Sequence, residues 1–190
     1  MKIGLFFGSF NPIHIGHLAI ANIMAETADI DQVWFVVSPQ NPFKKAKSLA
    51  HEFDRLDMVE AAIYDNPNLK TMDIEFSMPK PSYTVDTLAY LSDKYPKHTF
   101  SLIIGEDNLK SFPRWKNYEV ILEQYGLNVY PRPNTGASQL KDHPKVKWIK
   151  APLFDISATF IRNLMQLNKS IKYLVPDSVI EVINSRKLYL

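Results

Sequence analysis

Short apolar runs of strand length alternate along this chain with longer stretches of helical period. Residues 3–7 form the first run, followed by helical period over 17–28, a second run at 33–37 and a second helix over 53–64. The alternation continues with a weaker strand at 69–74, a helix over 84–95, a strand at 100–104, a helix over 118–124 and a strand at 127–130. Two more helices are predicted over 157–167 and 177–186. Tyr173-Leu174-Val175-Pro176 separates them, and Asp177-Ser178 is the start signal of the second.

Strands separated by helices call for a parallel sheet, because the right-handed crossover between parallel strands lays helices over its faces. The expected class is α/β: a Rossmann-like open parallel sheet with helices on both faces and a small C-terminal helical part over about 157–190. No linker or internal repeat interrupts the pattern, so residues 1–190 are read as a single domain. Such sheets bind ligands beyond the carboxyl ends of their strands, which directs attention to the loops after Phe7, Val37, Ile104 and Tyr130. Two segments there lose all periodicity: 38–50, with two prolines and three lysines, and 131–144, rich in Pro, Asn, Gly and Ser. Both read as mobile loops over a site.

Composition narrows the chemistry. Lysine and arginine total 22 against 20 acidic residues, so the bulk charge gives no sign of a protein that coats nucleic acid or membrane. The first apolar run is stopped at once by Gly8-Ser9-Phe10-Asn11-Pro12, too short for a signal peptide or a membrane span. The absence of cysteine removes disulfides, thiolate metal sites and thiol nucleophiles together, and fits a cytoplasmic protein.

The densest chemical signal follows the first strand: Gly8-Ser9-Phe10-Asn11-Pro12-Ile13-His14-Ile15-Gly16-His17. Two histidines straddle a predicted helix start, where unpaired backbone N–H groups and a partial positive charge attract phosphate, and Gly8 lets a ligand approach the backbone. Phosphoryl transfer needs positioning and donors more than covalent chemistry, and this cluster supplies both. Capping histidines or a His-x-x-His zinc site are the competing readings. No third ligand at a suitable spacing follows, so no protein-ligated metal is expected.

Gly8-x-Phe10-Asn11-Pro12-x-His14-x-Gly16-His17 resembles the signature of the nucleotidyltransferase superfamily, which shares its His-x-Gly-His element with class I aminoacyl-tRNA synthetases. That motif alone leaves pantetheine-phosphate adenylyltransferases, cytidylyltransferases and a non-catalytic nucleotide sensor open. An RNA-binding fragment fits neither the charge nor the absence of an anticodon-binding segment. Further segments resemble the bacterial nicotinate-nucleotide adenylyltransferases in order and spacing: Pro39-Gln40-Asn41-Pro42-Phe43-Lys44, Ser82-Tyr83-Thr84-Val85-Asp86-Thr87-Leu88, Ile104-Gly105-Glu106-Asp107-Asn108-Leu109, Arg114-Trp115 and Ile156-Ser157-Ala158-Thr159-Phe160-Ile161-Arg162.

The resemblance implies transfer of AMP from ATP to nicotinate mononucleotide, with His14, His17, Lys44 and Arg162 as the catalytic set. It implies ATP contacts from Gly8, Ser9, Phe10, Gly16, Gly105, Asp107, Ile156, Ser157 and Thr159, and Mg²⁺ arriving with ATP. The second substrate would meet Asn11, Lys44, Arg55, Ser82, Tyr83, Thr84, Asp107 and Trp115. Arg132 is a weaker carry-over toward the adenine or phosphates, and Lys45 and Lys47 are lesser candidates still. Two positions depart from the family pattern: Phe43 stands where histidine is common and Ala158 where a second serine is common.

The residues support parts of this independently. Ser82 or Thr84 is a plausible N-cap of the following helix, whose neighbouring N–H groups would receive a small anion such as a pyridine carboxylate, and Trp115 offers a flat face to a heteroaromatic ring. Helix-end donors suit a carboxylate better than a carboxamide, so a preference for the acid substrate is expected. Asp107, after a strand, could accept from ribose hydroxyls or cap a short helix beginning near Asn108. Composition leaves the oligomeric state open between a monomer and a homodimer.

Overall fold

The computed structural model describes residues 1–39, 49–133 and 135–189. Six parallel strands form one sheet: β1 (Lys2–Gly8), β2 (Gln32–Val37), β3 (Leu69–Met72), β4 (Thr99–Gly105), β5 (Leu127–Tyr130) and β6 (Val146–Trp148). They lie in the order β3-β2-β1-β4-β5-β6, each neighbour pair parallel. The helices are α1 (Ile15–Thr27), α2 (Glu52–Ile63), α3 (Thr84–Lys94), α4 (Glu106–Ser111), α5 (Tyr118–Tyr125), α6 (Ala158–Gln166) and α7 (Asp177–Ser185).

The period of two along the strands divides the core. In β2, Val33, Phe35 and Val37 join one cluster with Met24 of α1, Met58 of α2, Ile161 of α6 and Val179 of α7. The intervening Trp34 and Val36 join a second cluster with Leu88 of α3, Leu109 of α4 and Ile121 of α5. A strand buried on both faces must be apolar throughout, which is why these segments read as continuous hydrophobic runs. The C-terminal helices do not stand apart. Arg186 is forked between Asp54 and Asp57 of α2, and the Ser178 hydroxyl donates to the Ala61 carbonyl at 2.7 Å.

Two expectations need correction. The weak strand ends at Met72, because Asp73 turns the chain into a 3₁₀ turn over Ile74–Ser77. A sixth strand, β6, was not foreseen: only Val146 of its three residues is buried, so it carries no readable alternation. The last helix begins at Asp177 as expected, with Pro176 as its N-cap.

Candidate active site

β1 lies beside both β2 and β4, so successive connections leave it toward opposite edges of the sheet and a crevice opens at its carboxyl end. Two chambers occupy that crevice, of about 640 and 650 Å³. Phe7, Gly8, Ser9 and Asn108 belong to the walls of both, so the chambers adjoin at the tips of β1 and α4.

Gly8 is needed where it stands. A Cβ there would lie 2.7 Å from the Phe10 ring, which folds back beneath the loop. Phe10 itself has φ 43° and packs edge-on against Phe6, Phe35 and His17, so its ring supports the wall as well as lining it. Gly16 and Gly105, expected at the nucleotide, line neither chamber; a Cβ at Gly16 would press on the His14 ring at 3.2 Å, and one at Gly105 would strike the Asp107 carboxylate.

His14 is the N-cap of α1 and His17 lies in its first turn, so the helix begins two residues before the period of the sequence suggests. No side chain caps α1. The imidazoles stack with centroids 3.6 Å apart and planes at 22°. His14 is only 4% exposed, and its Nδ1 is buried without a hydrogen-bond partner. Burial first, and the Arg132 charge second, hold its pKa down at about 4. At neutral pH His14 is therefore an uncharged donor rather than a cation.

The opposite wall of the first chamber is the start of α6. Ser157 caps that helix, accepting from Phe160 N–H at 3.2 Å, and the chamber also meets Ile156, Thr159 and Arg162. Arg162 lies just past the first turn of α6. It donates to the Asn11 carbonyl at 2.7 Å and to Thr159 Oγ1 at 3.3 Å, tying α6 to the histidine loop. Asp107 lines the same chamber, within 3.8 Å of Arg132 Nε. It stands in the first turn of α4 and does not cap it, since the N-cap is Gly105. Arg132 also donates to the Phe154 carbonyl at 3.1 Å.

Chamber two is different in kind. Its wall includes Ser82, Tyr83 and Thr84 at the start of α3, the Trp115 indole, Arg114 and Lys116. The expected cap is not formed: Tyr83 takes the N-cap position of α3, and no side chain bonds the first-turn N–H groups. Glu75 lies in the same wall, 2% exposed, and was not anticipated from the sequence. Its position between apolar Ile74 and Phe76 was the available signal.

Two expectations change at the floor of the site. Arg55, expected at the second substrate, has no exposed surface and lines neither chamber. Its guanidinium donates to four backbone carbonyls, those of Ser9 (2.7 Å), Ser38 (2.7 Å), Pro39 (3.0 Å) and Ala50 (3.0 Å), binding the loops after β1 and β2 together. Asn11 is also buried. Its Oδ1 accepts from Ala50 N–H at 3.1 Å and from the Tyr189 hydroxyl at 2.8 Å, a link from the C-terminal turn that no local pattern announces. Lys44, with Lys45, Lys47 and Phe43, lies outside the described residues.

The chain matches the cytidylyltransferase-like family over residues 5–164. A chain of Cytophaga hutchinsonii named "Probable nicotinate-nucleotide adenylyltransferase" is 66% identical, covering 100% of this chain and 98% of that one. One of the same name from Flavobacterium psychrophilum is 53% identical over 100% and 99%. This chain belongs to the nicotinate-nucleotide adenylyltransferase family. The fold likeness reaches further than the sequence. A nicotinic acid mononucleotide adenylyltransferase of Plasmodium falciparum, solved in complex with NaAD, superposes with a TM-score of 0.84 at 22% identity, over 99% of this chain and 97% of that one. The likeness shows that this member of the nicotinate-nucleotide adenylyltransferase family shares its fold with that protein. Among its described residues there is no helix long and apolar enough to cross a membrane, and no group of three or more His, Asp or Glu able to hold a metal ion.

Proposed function

We propose that this chain transfers AMP from ATP to nicotinate mononucleotide, releasing pyrophosphate and forming nicotinate adenine dinucleotide. The observation that carries the reading is the pair of adjoining chambers of nearly equal volume that share Gly8 and Ser9 beside the histidine pair. ATP occupies the first chamber, and the pyridine nucleotide occupies the second with its 5′-phosphate at the shared wall. A phosphate oxygen of the mononucleotide attacks the α-phosphorus in line, forming one P–O bond as the bond to the β-phosphate oxygen breaks. The pyrophosphate leaves with that electron pair, and no covalent enzyme intermediate forms.

Neutral His14, together with His17, donates to oxygens whose charge grows in the transition state beside the positive end of the α1 dipole, while Arg162 adds a positive charge. Lys44 belongs to the same catalytic set by family resemblance. Asp107 receives ribose hydroxyls. In chamber two, the uncapped α3 start receives the nicotinate carboxylate, and Trp115, packed on Phe112 at 5.2 Å, lies against the pyridine ring.

Mg²⁺ enters as part of the ATP complex. Chamber one presents mainly donors, Arg132, Arg162 and the histidines, which suit triphosphate oxygens and leave the ion to phosphate and water. The cysteine-free chain suits a cytoplasmic reaction.

Pyrophosphate release from Mg-ATP, measured with nicotinate mononucleotide, nicotinamide mononucleotide and phosphopantetheine in turn, tests the proposal. Release is expected with the acid and is weaker with its amide. Release with phosphopantetheine alone would overturn it.

A further inference from the structure

Asn11 is held by contacts from three distant parts of the chain. Its Oδ1 accepts from Ala50 N–H at 3.1 Å and from the Tyr189 hydroxyl at 2.8 Å, while its main-chain carbonyl accepts from Arg162 Nη1 at 2.7 Å. The residue is 5% exposed and borders chamber one but not chamber two. It stands three residues before His14 in the loop that follows β1. Movement of Asn11 would therefore carry with it the carbonyl on which Arg162 rests.

Tyr189 reaches this loop over a firm path. α7 is fastened to α2 through Ser178 and the Arg186 fork. Lys187 then turns the chain at φ 52°, and Leu188 N–H donates to the Ile183 carbonyl at 3.0 Å, closing the helix. Tyr189 follows at φ 66°, a region that bulky side chains disfavour and keep only where their surroundings hold them. Two contacts hold it: the ring packs with Leu188 against the core cluster on the α1, α2 and α7 side of the sheet, and the hydroxyl reaches Asn11. Burial pushes the phenol pKa up, against the charges of Arg55 and Arg162, so the hydroxyl keeps its proton and remains a donor. A phenylalanine ring would serve the packing equally well. The hydroxyl serves Asn11.

We propose that Tyr189 is a positioning residue for the transfer step: through Asn11 it fixes the carbonyl that holds the Arg162 guanidinium in the wall of chamber one. The inference rests on the role given to Arg162 under Proposed function. A guanidinium has five N–H donors in a rigid fork. In Arg162 one goes to the Asn11 carbonyl and one to Thr159 Oγ1, and these two acceptors set the plane in which the rest of the fork meets phosphate oxygens. Tyr189 thus aims a charge that it does not touch.

Steady-state kinetics with Mg-ATP and nicotinate mononucleotide are to be compared for the wild-type chain, Tyr189→Phe, Arg162→Met and Tyr189→Phe/Arg162→Met, with urea unfolding of each to fix the fraction folded. Tyr189→Phe lowers kcat about fivefold to tenfold, the contribution of one hydrogen bond, and leaves the KM for the mononucleotide within about twofold. In the Arg162→Met background the same substitution changes kcat by less than about twofold, because the group being aimed is gone.

A Tyr189→Phe loss that persists at full size without Arg162, or that matches a loss of folded chain, would overturn the proposal and leave the hydroxyl a structural contact. So would a kcat within about twofold of the wild type. The wild-type arm separates the two levels. If the wild-type chain does not use nicotinate mononucleotide, the functional reading fails and this inference with it; if it does, the variants judge Tyr189 alone.

Discussion

The two chambers adjoin but are built from different materials. The first gathers side chains that carry or share protons and charge: the stacked His14 and His17, Arg132, Arg162 and Asp107. The second offers a helix end without a side-chain cap, an indole and a buried acid that accepts from the Thr87 hydroxyl. Groups of the first kind respond to charge that develops during a reaction, whereas groups of the second kind recognise a shape and a charge that do not change. Variants in chamber one should therefore act on kcat and variants in chamber two on KM. Residues beneath both should act on folding.

The largest expected effect belongs to the shared floor. Arg55→Met removes the donors of four backbone carbonyls from the loops that wall both chambers, and each such carbonyl left unpaired costs about 1 kcal/mol or more, so a loss of stability on the order of 4 kcal/mol is expected. Urea unfolding measures it. A chain of unchanged midpoint with impaired phosphate binding would instead restore Arg55 to the substrate side and break the division drawn above.

Next comes the chemical step. His17→Ala should lower kcat by about 10²–10³-fold, the usual cost of removing one donor to a developing oxyanion, with the KM for the pyridine nucleotide nearly unchanged. A rise in KM without loss of kcat would move His17 from transition-state stabilisation to ground-state binding.

His14 links the site to stability through pH. Its folded pKa of about 4 lies below the 6.5 of an unperturbed histidine, so the unfolded chain takes up the proton first as pH falls. The stabilising contribution is complete above about pH 6.5 and is lost progressively toward about pH 4, in total on the order of 3 kcal/mol. Because carboxylates titrate in the same window, the comparison is with His14→Gln: the unfolding midpoint of the wild type should fall more steeply between about pH 6.5 and 4 than that of the variant. Equal slopes would place the imidazole pKa near its ordinary value.

These predictions draw on features of unequal visibility in the sequence. The histidine loop was legible because its signal is local: a strand, a glycine, two histidines and a helix within seventeen residues of the N-terminal Met1. β1, β2 and β4 were legible for the same reason, since burial on both faces forces a largely apolar run, whereas β3, with Leu69 alone buried, showed only weakly. Arg55 was misread because the sequence displays its charge but not the convergence of carbonyls from Ser9, Ser38, Pro39 and Ala50. Tyr189 lies 178 residues from its partner Asn11, beyond the reach of any periodic argument. The Ser82 or Thr84 cap missed by one residue, because the backbone leaves the helix at Tyr83, and a sequence window does not fix that boundary.

The smallest effect is the sharpest test of the division between the chambers. Trp115 is half-buried at the end of a short 3₁₀ turn, packed on one side by Phe112 with ring centroids 5.2 Å apart and open on the other to chamber two. The face toward Phe112 fixes the indole plane, so little rotamer freedom remains to be lost when a ring stacks on the other face. Trp115→Ala should raise the KM for nicotinate mononucleotide by roughly tenfold, corresponding to an aromatic contact of about 0.5–1.5 kcal/mol plus some buried area. Trp115→Phe should recover part of that loss, because stacking needs a flat ring and no hydrogen bond. In neither variant should kcat at saturation change more than about twofold, since the indole touches a part of the substrate whose charge is the same before and during the transfer. A fall in kcat equal to the rise in KM would mean that the ring also aligns the attacking phosphate, and the two chambers would then be one device rather than two.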